Sequence, residues 1–215
     1  DEIVKVVAKT VYDNAEYLAN MAVKETGIGV YEDKIEKNKT KAKMIYNSLK
    51  GKKSVGIIDH AEQSGLTLVD KPMGIVAAIT PCTNPIATTM SNSMFALKGR
   101  NVIILSPHHK AIVCCTKTVK MINAELKKIG APENIIQILS QQSRHNTRNL
   151  MSMADVVIAT ELLEGIRGLG LLTSRGTMVC AATTRITPGS VLRREEDYPD
   201  DLAGASYRVT YSGIR

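Results

Sequence analysis

The chain has 215 residues, of which 44% are hydrophobic and 23% charged, and its formal net charge is +7. These values are typical of a globular protein with one core, or one domain plus an appendage. No apolar run approaches the roughly 18 residues that a membrane span requires, so we expect no membrane insertion. The chain has no tryptophan and one phenylalanine. Because nucleic-acid binding favours basic residues interleaved with aromatic ones, we expect none here.

Four cysteines, Cys82, Cys114, Cys115 and Cys180, show neither CxxC spacing nor the pattern of a disulfide framework. Such spacing favours a reducing, cytoplasmic setting. The first residues, DEIVKVV, do not have the composition of a signal peptide, which agrees with that setting.

The predicted elements begin with helices and a hairpin and continue as alternating strands and helices. Helices are predicted where apolar residues recur at a spacing of three or four, and strands where short apolar runs lie between turn residues. The predicted helices span residues 3–25, 31–49, 110–128, 142–152 and 161–167, and another joins the third and fourth strands. The predicted strands span residues 54–59, 66–70, 73–79, 101–105, 135–139, 155–159 and 176–182.

The alternation from residue 73 to residue 182 predicts a parallel sheet that is covered on both faces. We therefore expect an α/β fold with a Rossmann-like, mostly parallel sheet, helices on both faces, and two helices and a β-hairpin before it. The expected segments are a helical segment at 1–53, the hairpin at 54–72, a Rossmann-like domain at 73–202 and an unassigned tail at 203–215.

Residues 71–110, KPMGIVAAITPCTNPIATTMSNSMFALKGRNVIILSPHHK, are the most informative stretch. Two apolar strands end on polar turns, TPCTNP and SPHH, and a helix joins them. Parallel strands end at the same edge of a sheet, so the two turns form one ligand edge.

Residues 1–160 resemble the N-terminal half of CoA-acylating aldehyde dehydrogenases, most closely the succinate-semialdehyde type. The matching stretches, in the family's order, include VYDNAEYLANMAVKETGIGVYEDK, KPMGIVAAITPCTNP, ALKGRNVIILSPHHKA, INAELKKIGAPENIIQI and MADVVIAT. The resemblance implies NAD or NADP as cofactor and CoA as co-substrate. It also implies oxidation of an aldehyde to an acyl-CoA through a cysteine thioester, or the reverse reaction.

The resemblance assigns roles to the first polar turn. Thr80, Pro81, Cys82 and Thr83 would line the nicotinamide side of the cofactor, and Asn84 would donate to the oxyanion. The amide suits that role because its NH₂ can face a carbonyl oxygen as negative charge develops there. The alternative that Asn84 is an ordinary turn residue stays open.

The second polar turn would meet the adenosine ribose through Ser106, Pro107, His108 and His109. General aldehyde dehydrogenases favour lysine where Ser106 stands, so the choice between NAD and NADP stays open. The two histidines have no third ligand at suitable spacing, and we predict no metal site there.

The family pattern ends at Thr160. Residues 155–201 resemble instead the gamma-type subunit of 2-oxoacid:ferredoxin oxidoreductases, such as the smaller indolepyruvate oxidoreductase subunit. The chain is therefore expected to be a natural fusion, a chimera or a fragment with a seam near 160, and Asp1 is not expected to be the natural start. Glu161 and Glu164 after the seam would repel a dinucleotide pyrophosphate and weaken cofactor binding.

The nucleophilic cysteine of the acylating family has no counterpart in the sequence. Cys180 lies between Val179 and Ala181 and is predicted to be a small buried strand residue, because nothing near it promises an activated thiolate. Activity of the chain alone is therefore doubtful. The alternative function is a non-catalytic gamma-type subunit or interaction module. The hairpin is expected to expose its edges and to favour self-association or a partner subunit.

Overall fold

The computed structural model describes residues 1–61, 65–141, 143–159, 169–172, 174 and 176–180. The helices are α1 (Glu2–Asp13), α2 (Ala15–Thr26), α3 (Tyr31–Leu49), α4 (Pro85–Lys98), α5 (Ile112–Lys128) and α6 (Arg144–Met153). The strands are β1 (Gly56–Ala61), β2 (Leu66–Asp70), β3 (Ile75–Thr80), β4 (Val102–Pro107), β5 (Ile136–Ile138), β6 (Val156–Ala159) and β7 (Thr177–Cys180). Short 3-10 turns occur at His109–Ala111 and Leu169–Leu171.

The main sheet has five strands in the order β5-β4-β3-β6-β7, and every neighbouring pair is parallel. The chain starts at the central strand β3, runs outward through β4 and β5, and then returns to β6 on the other side of β3. This order confirms the Rossmann-like α/β fold. Ligands bind such sheets outside the carboxyl ends of the strands, where the strand order reverses. In this chain that place is the carboxyl end of β3.

Helices cover both faces of the sheet, as the alternation of elements predicted. On one face Val76, Ala78 and Ile103 belong to a core that also contains buried residues of α1, α2, α3, α4 and α5. On the other face Ala77 and Val157 pack with buried residues of α6. The three N-terminal helices therefore share their core with the sheet.

The prediction of a single helix over residues 3–25 is wrong, because the segment forms two helices that meet at Asn14. The backbone of Asn14 leaves the helical region, with φ of −106° and ψ of 18°. Its side-chain Nδ2 donates to the carbonyl oxygen of Thr10 at 2.8 Å. Asparagine competes in this way with the helical hydrogen bonds of the backbone. Three helices, not two, therefore precede the hairpin.

The hairpin forms as predicted, with β1 and β2 paired antiparallel in a sheet of their own. All five residues of β2 are exposed, and the side chains of Leu66 and Leu68 are exposed by 69% and 56%. The hairpin therefore presents apolar side chains outside the core.

The amino ends of the central strands are closed by hydrogen bonds from backbone to side chain. The N–H groups of Met73 and Gly74 donate to Asn101 Oδ1 at 2.6 and 3.0 Å. The N–H of Ile75 donates to Asp155 Oδ2 at 2.8 Å. Gly74 has φ of +121°, and a Cβ there would lie 2.2 Å from Asp155 Oδ2. Only glycine fits this approach of strand to side chain.

The predicted strands at 135–139, 155–159 and 176–182 correspond to β5, β6 and β7. The helix predicted at 161–167, with Glu161 and Glu164, lies outside the described residues, as do all residues from 181 onward, including the tail at 203–215. Within the described ranges, no helix combines the length and apolarity needed to cross a membrane.

Candidate functional site

The first polar turn connects β3 to α4 and contains Asn84. Thr80 ends β3 and is buried, and Asn84 is the N-cap residue of α4, with Pro85 as the first helical residue. The side chain of Asn84 makes no capping hydrogen bond. Its Oδ1 accepts from the Lys37 ammonium of α3 at 3.0 Å instead. Because Lys37 is a donor only, this contact identifies the amide oxygen and leaves both N–H bonds of Nδ2 for another acceptor.

A second lysine of α3 holds the same turn. Lys34 Nζ donates to the carbonyl oxygen of Thr83 at 2.9 Å, and the residue is only 8% exposed. The pKa of Lys34 is lowered, first by burial and then by the nearby Lys37 charge. The lysine stem passes close to Gly29, where a Cβ would lie 2.9 Å from Lys34 Cε. The turn is therefore fixed by two cations from a helix that lies 47 residues or more earlier in the chain.

Sequence analysis missed both lysines, because lysine is ordinarily exposed. A signal was present: Lys34, Asn38 and Ala42 are the buried residues of α3 and recur at a spacing of four. Lys34 therefore occupies a position on the packed face of α3, where an apolar residue is the usual choice.

The second polar turn borders a cavity of about 440 Å³ at the carboxyl edge. It is lined by Ile79, Thr80, Pro107, His108, His109, Ser143, Arg144, Thr147 and Arg148. The ends of the two strands meet beside it, since the N–H of His108 donates to the carbonyl oxygen of Thr80 at 3.0 Å. Ser106 is fully buried behind the cavity, where its Oγ lies 2.9 Å from Thr147 Oγ1.

The structure thus divides the predicted site residues into two groups. Thr80, Pro107, His108 and His109 line the large cavity, with Ser106 supporting its wall. Asn84 instead borders a separate cavity of about 10 Å³ beside Lys34 and Lys37. Pro81, Cys82 and Thr83 lie in the chain between Thr80 at the large cavity and Asn84 at the small one, and they do not line the large cavity.

The positive charge of the large cavity comes from α6. The pKa of His108 is lowered by burial, and secondarily by His109 and Lys110. Its Nδ1 accepts from the backbone N–H of Lys110 at 3.2 Å, so the neutral imidazole is the form that fits. Arginine stays protonated at any physiological pH. Arg144 and Arg148 therefore carry the charge. The sequence did not indicate them as site residues, because they follow β4 by about 40 residues and β3 by more than 60.

The cysteines near the edge are structural in character. Cys114 and Cys115 are fully buried, and Cys115 Sγ lies 3.8 Å from the carbonyl oxygen of Pro85. The pKa of the Cys114 thiol is raised by the adjacent Cys115 side chain and by burial, which disfavours a thiolate. Cys82 is half-buried in the turn. Cys180 is the last residue of β7, and its side chain lies outside the described part of the chain.

The cavity suits part of a dinucleotide. Its volume falls within the range of roughly 300–1,000 Å³ that small-ligand sites occupy. Cationic side chains and hydroxyl groups line it together with the apolar Ile79 and Pro107. The phosphate and ribose hydroxyl groups of a dinucleotide would bind to the cationic and hydroxyl side chains, and its planar ring would lie against the apolar ones.

Comparison with known proteins identifies the class. Residues 1–160 match the family model "Aldehyde dehydrogenase family", so the chain belongs to the aldehyde dehydrogenase family. The segment is 55% identical over 160 residues to the succinate-semialdehyde dehydrogenase (acetylating) of Clostridium kluyveri, covering 74% of this chain and 35% of that protein. The chain thus spans about a third of the length of that relative and corresponds to a segment of a CoA-acylating aldehyde dehydrogenase.

Solved structures agree with this assignment. An acetylating aldehyde dehydrogenase from Geobacillus thermoglucosidasius matches with a TM-score of 0.76 and 35% identity over 82% of this chain and 39% of that one. A Rhodopseudomonas palustris propionaldehyde dehydrogenase with bound CoA matches with a TM-score of 0.68 and 30% identity, covering 83% and 40%. An engineered glycolyl-CoA reductase with bound NADP⁺ matches with a TM-score of 0.65 and 28% identity, covering 81% and 41%. Nicotinamide cofactors and CoA are thus ligands of this class in general.

Proposed function

We propose that this chain supplies the cofactor edge of a CoA-acylating aldehyde dehydrogenase, which converts an aldehyde, CoA and NAD(P)⁺ to acyl-CoA and NAD(P)H. The observation that carries the proposal is the cavity of about 440 Å³ at the carboxyl end of β3 and β4. Its position at the switch point of a parallel sheet is where such folds bind nucleotides. The family membership of residues 1–160 supports the same function.

In this proposal Thr80, Pro107, His108 and His109 hold the cofactor, with Ser106 behind them. The adenosine ribose lies against the second polar turn, and Thr80 to Thr83 approach the nicotinamide side. When bound, the nicotinamide accepts or gives up the hydride of the reaction. The protein's contribution is to exclude water from this edge and to fix the orientation of the ring beside the reacting carbon.

Asn84 is proposed to stabilise the oxyanion. When a cysteine thiolate attacks the carbonyl carbon of an aldehyde or acyl-CoA, the carbonyl oxygen gains negative charge. An N–H bond of Asn84 Nδ2 then donates to that oxygen. The Lys37 ammonium on Oδ1 supports this role, because it prevents the amide from turning its oxygen toward the negative charge and polarises the N–H bonds. The nucleophilic cysteine is not assigned to any residue of this chain.

The alternative function, a gamma-type subunit of a 2-oxoacid:ferredoxin oxidoreductase, is not favoured by the comparisons. It rested on residues 155–201, most of which lie outside the described residues. Co-purification of a larger thiamine-dependent subunit, together with failure to bind any nicotinamide cofactor, would favour it.

Self-association through the hairpin is a further part of the proposal. The apolar side chains of Ile57, Leu66 and Leu68 are more than half exposed, and strand edges with such side chains pair readily with another chain. Replacement of Leu66 and Leu68 by Lys should shift the chain toward monomer in analytical ultracentrifugation. The cytoplasmic setting stays a prediction from the cysteine spacing.

Calorimetric titration of the chain with NADH, NADPH and CoA tests the main proposal. We expect at least one nicotinamide cofactor to bind with micromolar affinity. Binding should weaken when His109, an exposed residue that lines the cavity, is replaced by Ala. Failure of the intact chain to bind any of the three ligands would overturn the assignment of the cavity.

A further inference from the structure

The N-terminal turn of α6 carries an unusual arrangement of charge. Arg144 is the first residue of α6 and Arg148 lies one turn later, and the first turn contains no acidic residue. Positive side chains at a helix N-terminus oppose the helix dipole, and like charges at a spacing of four repel each other. Both effects destabilise the helix. An anion bound beside the two arginines would remove both effects.

The protein itself supplies no such anion in the part that the structure describes. The four ion pairs found there involve Lys9, Lys39, Lys98 and Lys128 and neither arginine. Both arginines are exposed to solvent, and both line the cavity of about 440 Å³ together with His108 and His109. Both residues therefore lie at the border of the cavity and are open to solvent.

The cavity joins this charge to the strand edge. Ser143 caps α6, with its Oγ accepting from the N–H of Asn146 at 2.9 Å. Thr147, between the two arginines, is linked to β4 through its contact with Ser106 at 2.9 Å. The first turn of α6 is thereby fixed against the end of β4, so the arginines have a defined position relative to the second polar turn.

We propose that Arg144 and Arg148 bind a phosphomonoester on the ribose of an adenosine-containing ligand and make the site selective for it. Guanidinium groups bind phosphate by paired, charge-assisted hydrogen bonds, and a phosphomonoester provides three oxygen acceptors and up to two negative charges. The 2′-phosphate of NADP and the 3′-phosphate of CoA both have this chemistry. The inference rests on the proposed function, because it places an adenosine ribose at the second polar turn.

The test is calorimetric titration of the intact chain with two ligand pairs, NADPH against NADH and CoA against 3′-dephospho-CoA. In the wild-type chain the phosphorylated member of at least one pair should bind roughly ten- to a hundredfold more tightly, the range for hydrogen bonds to a charged group. The pair that shows the preference identifies the source of the phosphate. The double variant Arg144→Gln, Arg148→Gln should lose most of that preference, because its affinity for the phosphorylated ligand should fall at least about tenfold further than its affinity for NADH or dephospho-CoA.

The matched control is Lys120→Gln with Lys127→Gln, which removes two positive charges from exposed positions of α5 away from the cavity. It should retain the preference, which separates a local contact from an effect of net charge. Circular dichroism checks that each variant is folded.

Three outcomes would overturn the inference. Equal affinity for both members of each pair in the wild-type chain would show that no phosphate is recognised, while leaving the proposed cofactor function intact. If the arginine variant lost affinity for NADH and for NADPH to an equal extent, the arginines would not recognise the ribose phosphate. If none of the four ligands bound the wild-type chain, the inference and the proposed function would both fall.

Discussion

The two ends of the central strands are built in opposite ways. At the amino ends, Asn101 and Asp155 use their side-chain oxygens to accept from the backbone N–H groups that precede and begin β3. Gly74 has no side chain, so the backbone and the Asp155 carboxylate approach closely. At the carboxyl ends, the Asn84 amide keeps its N–H bonds for an external acceptor, and Arg144 and Arg148 face a cavity.

The polar residues at the amino ends stabilise the fold, and those at the carboxyl ends are available to bind a ligand. The polar groups at the amino end stabilise the sheet because they are paired with its own backbone. Polar groups that face a cavity at the carboxyl end give the folded chain little stability of their own and contribute binding energy when a ligand arrives. Substitutions at the amino end should therefore reduce stability, and substitutions at the carboxyl end should reduce function.

The largest expected effect is on catalysis, from Asn84→Ala. We expect kcat for acyl-CoA reduction to fall roughly a hundred- to a thousandfold, the loss typical of one oxyanion donor. The assay uses a hybrid enzyme in which residues 1–160 replace the matching segment of the Clostridium kluyveri relative, which supplies the remaining domain. The free energy of unfolding should change by about 1 kcal/mol or less, because the Lys37 contact is exposed.

Asn84→Asp is the matched control for that substitution. It keeps an oxygen for Lys37 to donate to but has no N–H bond, so kcat should fall as far as in Asn84→Ala. If both variants retain wild-type kcat, Asn84 is the ordinary turn residue of the alternative interpretation, and the carboxyl end loses its proposed catalytic group.

The largest expected loss of stability comes from Gly74→Ala at the amino end. The new Cβ would lie 2.2 Å from Asp155 Oδ2, at a φ of +121°, so the free energy of unfolding should fall by about 2–4 kcal/mol. Urea denaturation followed by circular dichroism measures it, since the chain has no tryptophan. Gly130→Ala is the control: its φ is +68° but no atom lies within 4 Å of the added Cβ, so it should lose only about 1 kcal/mol. Equal losses would mean that the Asp155 contact is not what makes the amino end rigid.

The sequence predicted the strands of this sheet well and the walls of the cavity only in part. Short apolar runs between turn residues are local signals, and β3 and β4 begin and end within about two residues of the predicted bounds. The cavity also needs Arg144 and Arg148, which α6 brings to the edge only after the chain has crossed to the other face of the sheet. That is a tertiary effect, and neither residue differs in the sequence from an ordinary exposed arginine.

Lys34 is a second residue whose role depends on tertiary structure and could not be predicted from the sequence. A buried lysine requires a paired acceptor and room for its stem, and here these are the Thr83 carbonyl and Gly29. Three separate parts of the chain contribute, so no window of sequence contains the reason. The break at Asn14, by contrast, was visible in principle, because asparagine in the middle of a helical pattern favours a helix end.

A smaller effect on catalysis is expected from Lys37→Met. Without the ammonium, the Asn84 amide is free to rotate and present its oxygen to the oxyanion. We expect kcat of the hybrid enzyme to fall about tenfold, or about 1.4 kcal/mol, with KM for the acyl-CoA unchanged. Lys37→Arg should restore most of the rate, and Lys41→Met, at an exposed position of the same helix, should leave it unchanged. An unchanged kcat in Lys37→Met, beside a lowered one in Asn84→Ala, would show that the lysine does not orient the amide.

The smallest expected effect is the pH dependence of stability that His108 contributes. Burial, His109 and Lys110 lower the pKa of His108 in the folded chain below its ordinary value of 6.5, and Arg144 and Arg148 add positive charge across the cavity. Between the folded pKa and the ordinary value, the unfolded chain therefore binds more protons, so stability falls as the pH drops below about 6.5. We expect His108→Gln to lose less stability than wild type between pH 7.5 and pH 5.5 in urea denaturation. If His108→Gln followed wild type instead, burial and the neighbouring charges would not act on His108 in the folded chain, and the carboxyl end would carry no pH-dependent cost from this residue.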